Sequence, residues 1–194
     1  METLVAGRAC GECQVCCITP QIDTPDIRKT SGVACRNLTG TGCAIHTTRP
    51  AVCRGFYCGW RILESLPDDW RPDRCGVFVL LDQTMDLPVQ FRLRTAVILA
   101  LVGNPLKTVR QRWFQDYVGR SVLAGVPLFL SVPPRNGNQM ARVMLNTSTM
   151  RDAAASRMAA RIKDELEKAL KAVALYPPMK YVPVHGGPDM DGAG

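Results

Sequence analysis

Histidine is nearly missing from this chain, which has two in 194 residues, His46 and His185. Hydrolytic zinc enzymes need an open coordination position and a nearby acid or base, often histidine, and neither H-E-x-x-H nor H-x-E with P-C-x-x-C occurs here. Also absent are G-x-G-x-x-G, G-x-x-x-x-G-K-[ST] and G-x-S-x-G, which leaves dinucleotide, P-loop and serine-hydrolase chemistry without support. A C-x-x-x-C-x-x-C radical-type spacing is missing as well. The longest apolar stretch, Thr95 to Val102, falls far short of the ~20 residues that cross a bilayer. The first eight residues lack the basic start and apolar centre of a secretory signal. Together these absences predict a cytoplasmic protein without a membrane segment.

Cysteine is absent from the last 119 residues, because all nine cysteines lie between Cys10 and Cys75. In a reducing compartment, clustered thiols point to metal rather than disulfides. The formal charge of +7 takes every cysteine as neutral. Eight thiolates holding two divalent ions, or two iron–sulfur clusters of charge 2+, lower that sum from +7 to about +3. The basic residues are also scattered, interleaved on the C-terminal helix with Asp164, Glu165 and Glu167. Nucleic acid is therefore a weak partner candidate, resting on charge alone without a basic patch interleaved with aromatics.

Up to Cys75 the chain is rich in Gly, Thr, Pro, Arg and Cys with only short periodic segments, as where metal replaces an apolar core. One helical turn is expected over Pro50 to Phe56, capped by Thr47 or Thr48, with Pro50 in its first turn. The character then changes. Gly76 to Leu81 reads as a strand, Val89 to Ile98 as a second, and Asn104-Pro105 as a helix start with Leu106, Val109, Trp113, Phe114, Tyr117 and Val118 at helical spacing. Val126 to Val132 and Gln139 to Leu145 read as two further strands, with Asn136-Gly137-Asn138 as the turn between them. Thr147-Ser148-Thr149 caps a long helix over Met150 to Leu175, stopped by Pro177-Pro178. The order β-β-α-β-β-α predicts an α+β fold: an antiparallel sheet with helices on one face. Residues 1–75 form a cysteine-cluster, metal-stapled module, 76–180 the α+β domain, and 181–194 a disordered tail. Trp60, Trp70 and Trp113 are expected to pack the module against that domain and its helix.

The candidate metal ligands are Cys10, Cys13, Cys16, Cys17, Cys35, Cys43, Cys53 and Cys58. Spacing C-x-x-C-x-x-C lets three sulfurs converge on one centre. Cys17 breaks that pattern, because side chains of adjacent residues generally point apart, and is assigned to a second centre. Tetrahedral sulfur coordination then divides eight thiolates into two four-coordinate sites, zinc or iron–sulfur. Cys10, Cys13 and Cys16 share one site with a distant sulfur, and Cys17 shares the other with three of Cys35, Cys43, Cys53 and Cys58. Spacing does not assign the distant partners.

The run Cys10-x-x-Cys13-x-x-Cys16-Cys17, then Gly42-Cys43-Ala-Ile-His46, then Arg49-Pro50-Ala-Val-Cys53-Arg54-Gly-Phe56-Tyr-Cys58, resembles the CxxCxxCC cysteine-cluster family of zinc- or iron-chelating proteins. The resemblance covers about Cys10 to Cys58 and extends toward Arg71-Pro72-Asp73-Arg74-Cys75. It implies metal chelation; some members carry iron–sulfur labels and some are linked to lysine methylation of flagellin. His46 departs from the pattern, where an aromatic residue, often Tyr, is expected. It is read as a packed or solvated histidine rather than a ligand, and Cys75 as a buried thiol rather than a ninth ligand. Arg49 and Arg54 bracket Cys53 either to offset thiolate charge and donate to sulfur or as ordinary surface charge.

The function expected from these residues is metal binding, with the α+β domain supporting the centres or docking a partner protein. The alternative is an iron–sulfur-dependent redox enzyme or a protein-lysine methylation enzyme.

Overall fold

The computed structural model describes residues 3–133 and 140–175. It divides into two compact units at Cys75: the residues up to Cys75, with Pro133 and Met140 grouped beside them, and Gly76–Val132 with the described part of Ala141–Pro177. The expected tail 181–194 and the turn Asn136-Gly137-Asn138 lie outside the described residues.

The first unit is made of short pieces: α1 (Val15–Ile18), β1 (Ile22–Asp23) paired antiparallel with β2 (Arg28–Lys29), β3 (Leu38–Thr39) paired antiparallel with β4 (Gly42–Cys43), α2 (Ala51–Arg54), α3 (Gly59–Ile62) and α4 (Pro72–Cys75). Two 3-10 turns, His46–Thr48 and Asp68–Trp70, complete it. The turn expected over Pro50 to Phe56 is α2, but its N-cap is Pro50, and Thr47 and Thr48 lie in the preceding 3-10 turn. Pro50 has extended backbone (φ −53°, ψ 154°), which the fixed ring angle of proline allows just outside a helix.

With so little apolar side chain to bury, this unit is held by cations bonded to main-chain oxygens. Arg8 donates Nη1–H to the carbonyls of Trp60 (2.6 Å) and Leu63 (3.0 Å), Nη2–H to that of Leu66, and Nε–H to the Asp68 carboxylate (2.9 Å). Its guanidinium also lies 5.4 Å from the centre of the Trp60 ring, a cation–π contact. Lys29 is 2% exposed and donates its three ammonium hydrogens to the carbonyls of Ile18 (2.6 Å), Thr30 (2.9 Å) and Val33 (2.8 Å). Trp60 and Trp70 are buried, and the Trp60 indole N–H is bonded to the Asp68 carbonyl at 3.1 Å.

The second unit runs β5 (Val77–Asp82), β6 (Ala96–Leu101), α5 (Pro105–Val109), α6 (Arg112–Leu123), β7 (Leu128–Ser131), β8 (Arg142–Met144), α7 (Ser148–Ala155) and α8 (Ala159–Leu175). It is a mixed helix-and-sheet unit, as an α+β class requires. The sheet order is β5-β6-β7-β8, and the expectation of a wholly antiparallel sheet is corrected at its middle. The outer pairs are antiparallel, but β6 and β7 run parallel, Val97 opposite Leu128 and Ala100 opposite Ser131. The chain between them contains α5 and α6, and a helical crossover is how parallel neighbours are joined.

Three further boundaries differ from expectation. The second strand begins at Ala96, not Val89: after Pro88 the chain makes a 3-10 turn, Val89–Phe91. That turn tucks Leu87 and Phe91 onto Ala96, with Met85, Phe129 and Met144 beside them, so this connection covers one sheet face. The helix after Asn104 is two segments, interrupted at Gln111, whose backbone is extended (φ −74°, ψ 133°). The long C-terminal helix is also two, separated at Arg157 (φ 55°). Both expected caps are present: the Asn104 side chain accepts the Lys107 N–H at 3.0 Å, and that of Thr147 the Met150 N–H at 3.1 Å. Alternation places Leu99, Leu128 and Leu130 on the opposite sheet face, and α6 and α8 lie against β7. Gly119 permits the approach of α6 to α8, since a Cβ there would sit 3.1 Å from Ile162 Cδ1. Trp113, 37% exposed, meets its neighbour Phe114 edge to face, ring centres 5.7 Å apart.

Candidate metal centre

All nine cysteines are free thiols. The first turn of the cysteine run, Cys10-Gly11-Glu12-Cys13, is closed by the Cys13 N–H donating to the Cys10 carbonyl at 2.9 Å. Gly11 takes φ +54°, a left-handed conformation natural to glycine, and the Arg71 guanidinium lies 3.5 Å from where a Cβ would be. Arg71 is held there by a two-pronged pair with Asp73 (2.7 and 2.8 Å). Burial pushes the Cys13 thiol pKa up, and the Asp73 carboxylate beside it pushes the same way.

Cys16 and Cys17 follow on α1. They occupy consecutive positions of that short helix, and each thiol shifts the titration of the other. The Cys16 pKa is raised, first by Cys17 and then by burial, with Cys10 and Cys13 adding to it. That of Cys17 is lowered to about 6 by the Cys16 thiol, helped against burial by Lys29 and Arg49. Lys29 and Arg49 therefore favour the charged form of Cys17.

The distant cysteines divide. Cys58, buried at the head of α3, has its pKa raised by burial and then by Cys10 and Cys13, while the N–H groups of Arg61 and Trp60 draw it down. Cys53, on α2, is raised by burial and then by Cys35, Cys17 and Cys43, with Arg49 opposing. Main-chain bonds explain these neighbours. The Val5 N–H donates to the Arg61 carbonyl at 2.9 Å, and Arg8 grips the carbonyls of Trp60, Leu63 and Leu66, which docks the segment leading into Cys10 beside the helix that Cys58 begins. Separately, the Cys35 N–H donates to the Cys17 carbonyl at 2.9 Å. Cys35 opens the β3–β4 hairpin, whose two-residue loop, Gly40-Thr41, returns Cys43 opposite Leu38.

These groupings are neighbourhoods rather than finished coordination spheres: among the described residues, no three or more His, Cys, Asp or Glu side chains are placed to hold a metal ion as they stand. His46 is exposed, and its carbonyl accepts the Arg49 Nε–H at 3.0 Å. Cys75 ends α4 and donates its thiol hydrogen to the Trp70 carbonyl at 3.3 Å. Of the two arginines bracketing Cys53, Arg49 acts on Cys17 and Cys53, whereas Arg54 donates to the Arg49 carbonyl at 2.6 Å.

Lys29 and Arg8 were not singled out from sequence. Arg28-Lys29 reads as ordinary surface charge, and nothing in its spacing marks an ammonium enclosed by carbonyls. Asp73 carried a signal, since it lies in the Arg71–Cys75 segment toward which the family resemblance extends.

No helix among the described residues is long and apolar enough to cross a membrane. No family model, no curated protein and no solved structure matches the chain significantly. The resemblance over Cys10 to Cys58 therefore rests on the motif residues themselves.

Proposed function

We propose that this is a metal-binding cysteine-cluster protein, holding two centres, as zinc or as iron–sulfur, on Cys10, Cys13, Cys16, Cys17, Cys35, Cys43, Cys53 and Cys58. The α+β unit serves as the supporting body or as the surface that docks a partner protein. What supports this reading is the set of eight free cysteines from Cys10 to Cys58, in which the Cys35 N–H is bonded to the Cys17 carbonyl at 2.9 Å and Lys29 and Arg49 act on Cys17. Soft sulfur donors in fours suit zinc and iron–sulfur alike. Binding draws each four inward to roughly 3.8 Å between sulfurs, the edge of a tetrahedron with metal–sulfur bonds of about 2.3 Å. Lys29 and Arg49 then face a centre whose four thiolates outweigh a divalent ion by two charges, and they offset that excess.

Anaerobic purification followed by metal and sulfide analysis and an absorption spectrum tests the reading. About two centres per chain are expected. Iron with matching sulfide and visible colour identifies clusters, and colourless protein with zinc identifies the other form. Protein that keeps its fold with all thiols free and no metal refutes both.

A further inference from the structure

We infer that the two centres have separate, fixed ligand sets that meet at one peptide bond: Cys10, Cys13, Cys16 and Cys58 hold one, and Cys17, Cys35, Cys43 and Cys53 hold the other. The assignment rests on the metal-binding reading above and deepens it by naming each site's distant ligands.

Two independent features of the chain path carry the first set. The turn Cys10-Gly11-Glu12-Cys13 leads directly into α1, so Cys10, Cys13 and Cys16 lie on one short local stretch of chain. The fourth is supplied from about 42 positions further on because Val5 and Arg8 are bonded to the main chain of residues 60–66, and Cys58 stands at the head of that segment with Cys10 and Cys13 as its thiol neighbours. The second set is gathered by a different path. The Cys17 carbonyl accepts from the Cys35 N–H, the β3–β4 hairpin returns Cys43, and Cys53 on α2 has Cys35, Cys17 and Cys43 around it. Arg49 joins the set by acting on both Cys17 and Cys53, and Lys29 acts on Cys17 from an ammonium anchored to the carbonyls of Ile18, Thr30 and Val33. Cys75, bonded to the Trp70 carbonyl, belongs to neither set.

Full-length protein loaded with Cd²⁺ and then stripped to about one ion per chain separates the possibilities when its accessible thiols are alkylated and the labelled sites read by mass spectrometry. Chains that retain one ion are expected to carry labels on Cys75 and on one complete set, with the other set wholly protected. A protected four that mixes the sets, such as Cys17 with Cys58, or that includes Cys75, overturns the partition while leaving metal binding intact. Chains that take up no Cd²⁺ and are labelled at all nine positions refute the underlying reading instead. A second measurement uses pairs of substitutions: Cys13→Ser with Cys58→Ser should lose one ion of two, whereas Cys43→Ser with Cys58→Ser should lose both. The ion retained by the first pair also reports that the unit still folds. A first pair that loses both ions, while each of its single variants loses one, counts against separate sets.

Discussion

The two units bury opposite kinds of side chain. Among the described residues up to Cys75, the buried apolar side chains are Ile27, Cys58, Trp60, Leu66 and Trp70, and three cations, Arg8, Arg28 and Lys29, are buried with them. Among the described residues after Gly76 the buried polar residues are Thr108, Gln115, Ser131 and Asn146, all neutral, set among Val, Leu, Ile, Phe and Ala from every helix and from β5, β6 and β7. Asn146 makes the contrast concrete, accepting the Leu128 N–H at 2.7 Å and donating to the Val126 carbonyl at 2.8 Å, which repairs one gap beside a strand. Arg8 and Lys29 instead organise whole loops. Where little apolar surface is buried, charged donors bonded to carbonyls order the backbone.

The sharpest way to break this contrast is to remove the metal proposed for the first unit. Structural zinc sites contribute on the order of 10–16 kcal/mol of apparent binding energy each at neutral pH, so two such sites would exceed the roughly 10–15 kcal/mol that five buried apolar groups supply at about 2–3 kcal/mol each. Chelation is therefore expected to unfold the region before Cys75 while Gly76–Val132 and 141–175 keep their helix and strand signal. Circular dichroism with limited proteolysis before and after chelation measures this, and loss of both regions in one transition would show that the units are not independent.

The reverse experiment acts on the other unit. Phe114 is fully buried, and Phe114→Ala should cost about 3–5 kcal/mol through lost burial and the cavity left behind. Metal per chain should not change. Denaturant unfolding followed by tryptophan fluorescence and helix signal, together with metal analysis of the same samples, decides it.

A smaller effect distinguishes the carbonyl bonds of Arg8 from its ion pair. Asp68 is 88% exposed at its side chain, so its pairing with Arg8 is worth little. The carbonyls of Trp60, Leu63 and Leu66 lose a charged donor in Arg8→Met, at about 1–3 kcal/mol for a buried group left unmet. Arg8→Met is expected to destabilise the first unit by about 3 kcal/mol, and Asp68→Ala by less than about 1 kcal/mol. Equal losses, read from thermal unfolding of the metal-loaded protein, would mean that the ion pair and not the main-chain grip fixes the N-terminal segment.

Much of this arrangement was legible in sequence where the determinants are local. Asn104 and Thr147 cap their helices because an oxygen three residues before a free N–H is a local matter. What was not legible depends on chain path. Alternating apolar residues reveal a strand but not its direction, so the parallel pairing of β6 with β7 had no signal in Ala96–Leu101 or Leu128–Ser131. Cys58 was interchangeable with Cys35, Cys43 and Cys53 on spacing, because its neighbours are set by Arg8 gripping carbonyls more than fifty residues away. Arg157 gave no warning of a helix break, being an ordinary helix former with an unusual φ of 55°.

The smallest test asks whether charge contributes to the second unit at all. Asp82, at the end of β5, accepts from the N–H and hydroxyl of Thr84 (2.9 and 2.8 Å) and pairs with Arg142 at the start of β8 (3.1 Å). Burial raises its pKa, but the Thr84 bonds and Arg142 outweigh that, and the net shift is downward. A carboxyl whose folded pKa lies below its unfolded value binds protons more readily when unfolded. Its stabilising contribution is complete above the unfolded pKa of about 3.9 and is lost as pH falls through the lower folded value. Because the Arg142 side chain is 36% exposed, solvent screens the pair, and Asp82→Asn should cost less than about 1 kcal/mol at pH 7. The difference between wild type and variant should shrink toward zero as pH drops below about 4, where the wild-type carboxylate is itself being protonated. Stability of both proteins measured across a range of about pH 2 to 7 supplies the check. A gap that stays constant with pH would assign the effect to the Thr84 turn geometry rather than to charge, and the second unit would then owe its stability to apolar packing and neutral hydrogen bonds alone.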